Sequence, residues 1–262
     1  MERGVLYGIS ARTQSPIIVD PFDDRFDNYH LVVVAPTGSG KSYFVKLDLL
    51  RSLLGGTDYL VIDPEDEYHR VVDDVGGQMV RLAPSSRDQI NPLDLVLPDA
   101  EDVGDAAGAL AEAITIVVGR LELLLCAGMG PNGAPGLLTV DERAVLDRAL
   151  HQTYAAAGIT PDTASDGRPA PLLADLHAVL AQTDGELATR LARRLERHAR
   201  AGLFAGTTNL ALDRSLVVFQ IRDLPQELWP LAIHWIGGRI WNLARRQRRS
   251  CRSWSRRMRL AP

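Results

Sequence analysis

Residues 35–42 read Ala35-Pro36-Thr37-Gly38-Ser39-Gly40-Lys41-Ser42 and directly follow the apolar run Leu31-Val32-Val33-Val34. They match the phosphate-binding pattern G-x-x-x-x-G-K-[ST] at every position except the first, where alanine replaces glycine. The apolar run predicts a buried strand, and the apolar positions after Ser42 predict a helix over 41–54 that Gly55-Gly56 ends. A strand, a glycine-rich turn and a helix in this order predict a nucleotide-binding loop.

Each residue type in this loop suits a phosphate ligand. Gly38 and Gly40 let backbone N–H groups turn toward an anion without a Cβ in the way. Lys41 brings a positive charge to the outer phosphates, and the Ser42 hydroxyl is a ligand for Mg²⁺. The helix N-terminus faces the same anion. We therefore predict ATP and Mg²⁺ as cofactors, with the nucleotide bound by Pro36, Thr37, Gly38, Ser39, Gly40, Lys41, Ser42 and Tyr43.

Composition places the chain among ordinary globular proteins. Its 262 residues are 46% hydrophobic and 24% charged, which is enough for one large α/β domain with an insertion. Two cysteines form neither a disulfide framework nor a zinc-ligand pattern, and the N-terminus does not resemble a signal peptide. The most apolar window, 109–127, contains Glu112, Arg120 and Glu122, so it predicts a buried helix and no transmembrane segment. We expect a cytoplasmic protein.

The order of predicted elements indicates an α/β fold with a parallel sheet. Strands are predicted over 16–20, 59–62, 78–82 and 215–221, and a helix over 224–246. Between about 102 and 202 the pattern is helical, with breaks at 128–136 and 158–171. The predicted domains are 1–100, the P-loop half of the core; 101–205, a helical insertion; 206–244, a return to the core; and 245–262, an arginine-rich tail.

An acidic stretch, Asp63-Pro64-Glu65-Asp66-Glu67-Tyr68, follows the second predicted strand. Ligands of open parallel sheets bind outside the carboxyl ends of the strands, so this stretch is expected to face the same crevice as the glycine-rich loop. A carboxylate there could hold Mg²⁺ or orient an attacking water. The alternative is a solvated acidic turn. Its place after the strand favours the first interpretation.

Several segments, taken in order, resemble the conjugation-type (type IV secretion) ATPases of the HerA–FtsK superfamily. The most specific lie between 28 and 95: residues 33–42, the Asp-Pro-Glu-x-Glu-Tyr motif of 63–68, and Ile90-Asn91-Pro92-Leu93-Asp94-Leu95. Pro16–Asp20, Asn28–His30, Leu203–Gly206 and Val217–Phe219 extend the resemblance over roughly 5–245.

This resemblance implies a RecA-like core with a helical insertion, in a ring of six subunits. ATP turnover in such a ring would drive assembly of a secretion channel or transfer through it, so channel components are the implied partners and DNA a further candidate. The implied location is the cytoplasm or the inner face of the membrane. Carried over by motif, Lys41, Asp63 and Glu65 are the implied catalytic residues, and Ser42 and Asp63 the implied metal ligands.

Three parts that the resemblance implies are not found in these 262 residues. They are a long N-terminal domain, an apolar strand ending in Asp-Glu after the helix that ends near Arg246, and the arginine finger and glutamine sensor that follow it. The Asp-Glu pair would complete the metal site and activate water. Loss of an arginine finger alone costs about 10³–10⁵ in rate. We expect ATP binding with little or no hydrolysis.

The tail has three interpretations. Residues 245–259 contain eight arginines and no acidic residue, which suits a basic arm for DNA or an anionic membrane. A solvated, disordered tail is the common alternative. The third is a shifted reading frame: suitable codons for 253–260 read Leu-Val-Ala-Glu-Asp-Glu-Ala in another frame. A coding sequence without Asp-Glu in that frame would exclude it.

Two other functions remain open from sequence. One is a non-catalytic ATP-binding module that regulates or docks on a larger assembly. The other is a small P-loop kinase, for which Arg190, Arg193, Arg194 and Arg197 could act as lid arginines. Their spacing suits the polar face of an amphipathic helix better. Cys126, in an apolar helix, is predicted to be a small buried hydrophobe.

Overall fold

The structure, a computed structural model, describes residues 4–23, 25–27, 30–97, 106–130, 136–164 and 167–240. The arginine-rich tail, the hypothesis of a shifted frame there, and Asn28-Tyr29 of the resemblance lie outside the described residues. The strands are β1 (Val5–Ile9), β2 (Pro16–Val19), β3 (Tyr59–Asp63), β4 (Gln78–Arg81) and β5 (Leu216–Gln220). The helices are α1 (Lys41–Leu54), α2 (His69–Val75), α3 (Ala106–Leu125), α4 (Val140–Ala156), α5 (Leu173–Gln182), α6 (Glu186–Arg200) and α7 (229–240), which a 3₁₀ turn, Gln226–Leu228, precedes.

Two sheets form within the described residues. β1 and β2 pair antiparallel, with Val5 opposite Val19 and Ile9 opposite Pro16. β3, β5 and β4, in that order, make a parallel three-stranded sheet. The neighbours in this sheet are distant in sequence, as expected when helices connect parallel strands. The predicted α/β class with a parallel sheet is confirmed.

The chain divides into two compact units. The first comprises 1–79 and 212–219, and the second comprises 80–211 and 220–262. In the first unit, the buried core consists of Leu49 of α1, Val71 and Val72 of α2, and Leu216 and Val218 of β5. Leu216 and Val218 lie two residues apart on β5, so their side chains point to the same face of the strand.

Helices α3 to α6 dominate the second unit and occupy the segment predicted to be helical. α5 packs against α6, and both pack against α4, which in turn contacts α3. α3 buries most of one long face, and its Arg120 and Glu122 are buried with it. Cys126, just after α3, is buried as predicted, and burial raises the pKa of its thiol.

The predicted strand over Leu31–Val34 is wrong. These residues are in no sheet, and Val32 and Val34 are 81% and 89% exposed. Between described residues, no backbone hydrogen bond uses an N–H or C=O group of 31–34. A strand needs a neighbouring strand to pair with, and the described sheet of β3, β5 and β4 does not include this segment. An apolar pattern predicts the tendency to pair and cannot predict the partner.

Candidate functional site

The glycine-rich loop has the left-handed backbone that its glycines permit. Gly38 and Gly40 have φ of +80° and +89°, values that side chains other than glycine disfavour. The Ser39 hydroxyl donates to the Pro36 carbonyl at 2.6 Å, which closes the turn. Gly40 then caps α1, and its carbonyl accepts from the Phe44 N–H at 2.9 Å. The loop therefore leads directly into the first turn of α1.

Backbone donors at the start of α1 point to an anion site. Within the described part of the chain, the N–H groups of Gly40, Lys41, Ser42 and Tyr43 donate to no backbone or side-chain acceptor. The first N–H groups of any helix lack an intrahelical acceptor and carry the positive end of its dipole. No acidic side chain lies in the first turn of α1 to compensate them. A phosphate group would satisfy these donors.

The loop after β3 is organised around one buried carboxylate. Asp63 is 2% exposed at the end of β3. Its Oδ1 accepts from the N–H groups of Glu65 (3.2 Å) and Asp66 (2.8 Å). Its Oδ2 accepts from the N–H groups of Glu67 (2.8 Å) and Tyr68 (3.1 Å). The acidic loop is thus wrapped around Asp63.

Glu67 connects this acidic loop to α1. The Lys46 ammonium donates to the Glu67 main-chain carbonyl at 2.8 Å and lies 3.3 Å from its carboxylate. Lys46 also lies 5.0 Å from the centre of the Tyr68 ring, within range of a cation–π contact. The hydrogen bond from Lys46, followed by one from the Ser42 hydroxyl, holds the pKa of Glu67 below its ordinary value. The acidic loop therefore contacts α1 at Lys46, one helical turn after Ser42.

Comparison with known proteins finds one matching family model and similar solved structures. The family model described as the central domain of the helicase HerA matches residues 5–122. The solved structure of VirB4 from Thermoanaerobacter pseudethanolicus superposes with a TM-score of 0.77 at 27% identity. That match covers 94% of this chain and 65% of the VirB4 chain, so our chain spans just under two thirds of VirB4. No curated protein matches by sequence.

The resemblance to the HerA–FtsK superfamily is confirmed over residues 5–122, which are similar to the HerA central domain. The HerA match covers the glycine-rich loop and the acidic loop, and the VirB4 match supports the resemblance to the conjugation-type ATPases. The RecA-like fold predicted from the resemblance is confirmed.

The structure places the predicted site residues at two loops. Lys41 and Ser42 begin α1. Glu65 lies in that loop with an exposed side chain that hydrogen-bonds to no described residue. Asp63 lies beneath the loop, and its assignment as a metal ligand stays a prediction. Glu67, which sequence analysis placed in the motif without a role, makes the contacts with α1.

The Asn-Pro-Leu-Asp motif of the superfamily resemblance has structural contacts within the second unit. The buried Asn91 side chain donates to the Pro171 carbonyl at 2.9 Å and accepts from the Leu93 N–H at 3.0 Å. Carbonyls of the motif accept from two buried side chains. Arg120 of α3 donates to Asp94 at 2.7 Å, and the Tyr154 hydroxyl of α4 donates to Leu93 at 2.6 Å. The motif joins several helices and is part of the scaffold of the helical unit.

Three of the four candidate lid arginines have partners within the helical unit. α6 buries Ala188, Leu191, Ala192 and Leu195, which confirms the amphipathic helix predicted there. Guanidinium groups of Arg190 and Arg194 lie 3.7 and 3.5 Å from the buried Glu142 carboxylate of α4. Arg197 donates to His198 at 2.9 Å. These contacts favour a packing role for the α6 arginines over a role in a catalytic lid.

The donors near the glycine-rich loop fit Mg²⁺ better than a structural metal. The described residues hold no group of three or more His, Cys, Asp or Glu side chains arranged to bind a metal. Mg²⁺ needs no such group, because it is commonly bound by one or two protein oxygens together with phosphates and waters. The Ser42 hydroxyl at the start of α1 is one such oxygen. In the described part of the chain, every helix is too short or too polar to cross a membrane.

Proposed function

We propose that this chain is the ATP-binding core of a type IV secretion or conjugation motor ATPase. The backbone N–H groups of 40–43 carry the proposal, because they donate to no acceptor in the described part of the chain and follow a glycine-rich loop in a segment similar to the HerA central domain. The intact motor is proposed to be a hexameric ring at the cytoplasmic side of the membrane, with channel components as partners. DNA contact is a further part of this proposal.

The proposed roles follow from position. The free N–H groups of 40–43 and the Lys41 ammonium bind the phosphates, and Ser42 ligates Mg²⁺. Mg²⁺ would neutralise charge on the phosphates and orient them. Glu65, exposed in the acidic loop, is proposed to face the nucleotide. Asp63 is proposed to act near the nucleotide as well, and its four backbone hydrogen bonds support a role in shaping the loop.

We further propose that the 262-residue polypeptide binds ATP without sustained hydrolysis. Phosphoryl transfer depends on positioning and on charge stabilisation in the transition state. The resemblance implies an Asp-Glu pair at the end of an apolar strand. The two Asp-Glu pairs of the sequence lie elsewhere, Asp66-Glu67 in the acidic loop after β3 and Asp141-Glu142 in the first turn of α4. Water activation by this polypeptide alone is therefore expected to be weak.

Nucleotide titration tests the proposal. A fluorescent ATP analogue is titrated with Mg²⁺ into the wild-type chain, Lys41→Ala and the control Arg70→Ala, which removes an exposed charge from α2. Loss of charge-assisted hydrogen bonds should weaken binding to Lys41→Ala by about 10–100-fold, and the control should match the wild type. Equal binding by Lys41→Ala would refute the site. Phosphate release by the wild type that Lys41→Ala abolishes would refute the absence of hydrolysis and leave the site standing.

A further inference from the structure

The arginines of helix α6 fall into two groups. Arg190 and Arg194 lie near the buried Glu142 carboxylate of α4, at 3.7 and 3.5 Å. The outward side of the helix carries three further exposed arginines, Arg193, Arg197 and Arg200. Because these three follow one another at spacings of four and three residues, they lie along one side of the helix. We call them the α6 arginine face.

Two members of the α6 arginine face have no acidic partner among the described residues. Arg193 makes no ion pair there. Arg197 donates from Nε to Nε2 of His198 at 2.9 Å, and a ring nitrogen that accepts this bond belongs to a neutral ring. The bond therefore holds the Arg197 guanidinium in place and leaves its charge uncompensated. Arg200 pairs with Glu196 in the same helix.

Packing explains the inner arginines and leaves the outer ones unexplained. Arg190 and Arg194 are four residues apart, and like charges at this spacing destabilise a helix. The Glu142 carboxylate, close to both, offsets their repulsion. Arg193 and Arg197 have the same spacing, and no carboxylate of the described residues pairs with either. An anion from outside the chain would offset the repulsion on this side.

The composition of this surface favours DNA over a protein as the source of that anion. The exposed residues of α6 include no apolar side chain; they are Glu186, Thr189, Arg190, Arg193, Arg197 and Arg200. Interfaces between proteins have an apolar or aromatic centre, whereas interfaces with DNA are more polar and much more positively charged. The α6 arginine face extends over about 10 Å of helix axis, a length in which one strand of a DNA duplex presents about three phosphates.

We propose that the α6 arginine face binds the phosphodiester backbone of DNA. The Nη groups of Arg193 and Arg197 suit two-pronged hydrogen bonding to phosphate oxygens. Contacts to phosphates do not read bases, so the binding should not depend on DNA sequence. This inference gives a location to the DNA contact of the proposed function and rests on it in that respect. It does not depend on the nucleotide site.

The salt dependence of DNA binding tests the proposal. Fluorescence anisotropy of a short fluorescein-labelled DNA duplex is measured without nucleotide, at several salt concentrations. The samples are the full wild-type chain, Arg193→Ala/Arg197→Ala, and the control Arg12→Ala/Arg70→Ala, which removes two exposed arginines from the first unit. The arginine-rich stretch 245–259 is the same in every sample, so its own contribution to binding cancels in the comparison.

Each phosphate contact that is lost lowers the slope of log affinity against log salt concentration by about 0.9. We therefore expect the α6 variant to lose about two units of slope and about tenfold in affinity, and the control to match the wild type. Alanine favours a helix, so the variant should fold, and circular dichroism checks its helix content. Arg193→Lys/Arg197→Lys keeps both charges and should bind within about threefold of the wild type.

The possible contrary results have different meanings. Equal slopes and affinities in the α6 variant and the control would overturn the inference and leave DNA contact to another part of the chain. Absence of DNA binding by the wild type would overturn both the inference and the DNA contact of the proposed function, and would leave the ATP site untouched. Competition by polyglutamate as strong as that by unlabelled DNA would indicate an acidic protein partner and would also overturn the inference.

Discussion

At the scale of single residues, the acidic loop depends on one carboxylate that water hardly reaches. Asp63 accepts four backbone N–H groups, from Glu65, Asp66, Glu67 and Tyr68. A carboxylate has about four acceptor sites, so these hydrogen bonds occupy it fully. Asp66 lies in the left-handed region at φ +62°, a conformation that aspartate tolerates better than most residues. Removal of the Asp63 carboxylate would leave the loop without its central acceptor.

We expect Asp63→Ala to lower the free energy of unfolding by about 3 kcal/mol, because several buried donors lose their partner. Urea denaturation measures this loss. The matched control is Glu65→Ala, whose exposed side chain makes no hydrogen bond with a described residue, and which should change stability by less than about 0.5 kcal/mol. Unchanged stability in Asp63→Ala, together with weaker Mg²⁺·ATP binding, would show that Asp63 acts only as a metal ligand.

The candidate site was predictable where it depends on local sequence. Lys41 and Ser42 follow from the spacing of the glycine-rich loop, since that motif fixes its own backbone through Gly38 and Gly40. Spacing alone did not show which of Glu65 and Glu67 contacts α1. It depends on the turn that Asp63 organises and on Lys46, which lies 21 residues away from Glu67. The one signal in the sequence for this contact is Lys46, a positive charge one helical turn after Ser42.

At the scale of elements, periodicity predicted those that carry their own signals. α1 has the predicted bounds, and β3 and β5 lie within a residue of theirs. The predicted strand Leu31–Val34 failed because strand formation depends on a neighbour that local sequence cannot supply. The short helix α2, seven residues long, was not predicted, because such a length shows barely two turns of periodicity.

The C-terminal end of α6 contains a histidine that should make stability sensitive to pH. Burial, with a further contribution from Arg197, lowers the pKa of His198 to about 4 from an ordinary 6.5. Arg197 donates to its Nε2 at 2.9 Å, which requires the neutral ring, and the Phe204 ring packs edge-on nearby. Between these two pKa values the unfolded chain binds a proton that the folded chain does not, so the folded state loses stability as pH falls.

From pH 7 to pH 5 we expect His198 to account for about 1 kcal/mol of lost stability, after allowing for its partial exposure. Urea denaturation at the two pH values measures the loss. His198→Gln should reduce it, and His177→Gln on α5 is the matched control. The prediction fails if His198→Gln loses as much stability on acidification as the wild type. Acidic groups such as Glu142, whose pKa is lowered by the Thr139 N–H, add their own loss mainly at lower pH.

At the scale of the whole molecule, the two compact units carry different motifs. The glycine-rich and acidic loops lie in the first unit, and the Asn-Pro-Leu-Asp motif organises helices of the second. The motor interpretation and the kinase alternative differ in what they require of the second unit. A kinase lid would bring α6 arginines to the nucleotide, whereas here Arg190 and Arg194 pair with Glu142 of α4.

Hydrogen exchange with and without a non-hydrolysable ATP analogue and Mg²⁺ distinguishes these two interpretations. We expect slower exchange in peptides covering 36–46 and 63–68, because phosphates engage the free N–H groups of 40–43 and the acidic loop is held against α1. At a ligand concentration about 100 times the dissociation constant, binding stabilises the folded state by about 2.7 kcal/mol.

Peptides of α6, 186–200, should exchange at the same rate in both samples, and Lys41→Ala should abolish the difference elsewhere. Protection that includes α6 and disappears in Arg193→Ala would favour the kinase lid, since Arg193 makes no ion pair with a described residue that the substitution would break.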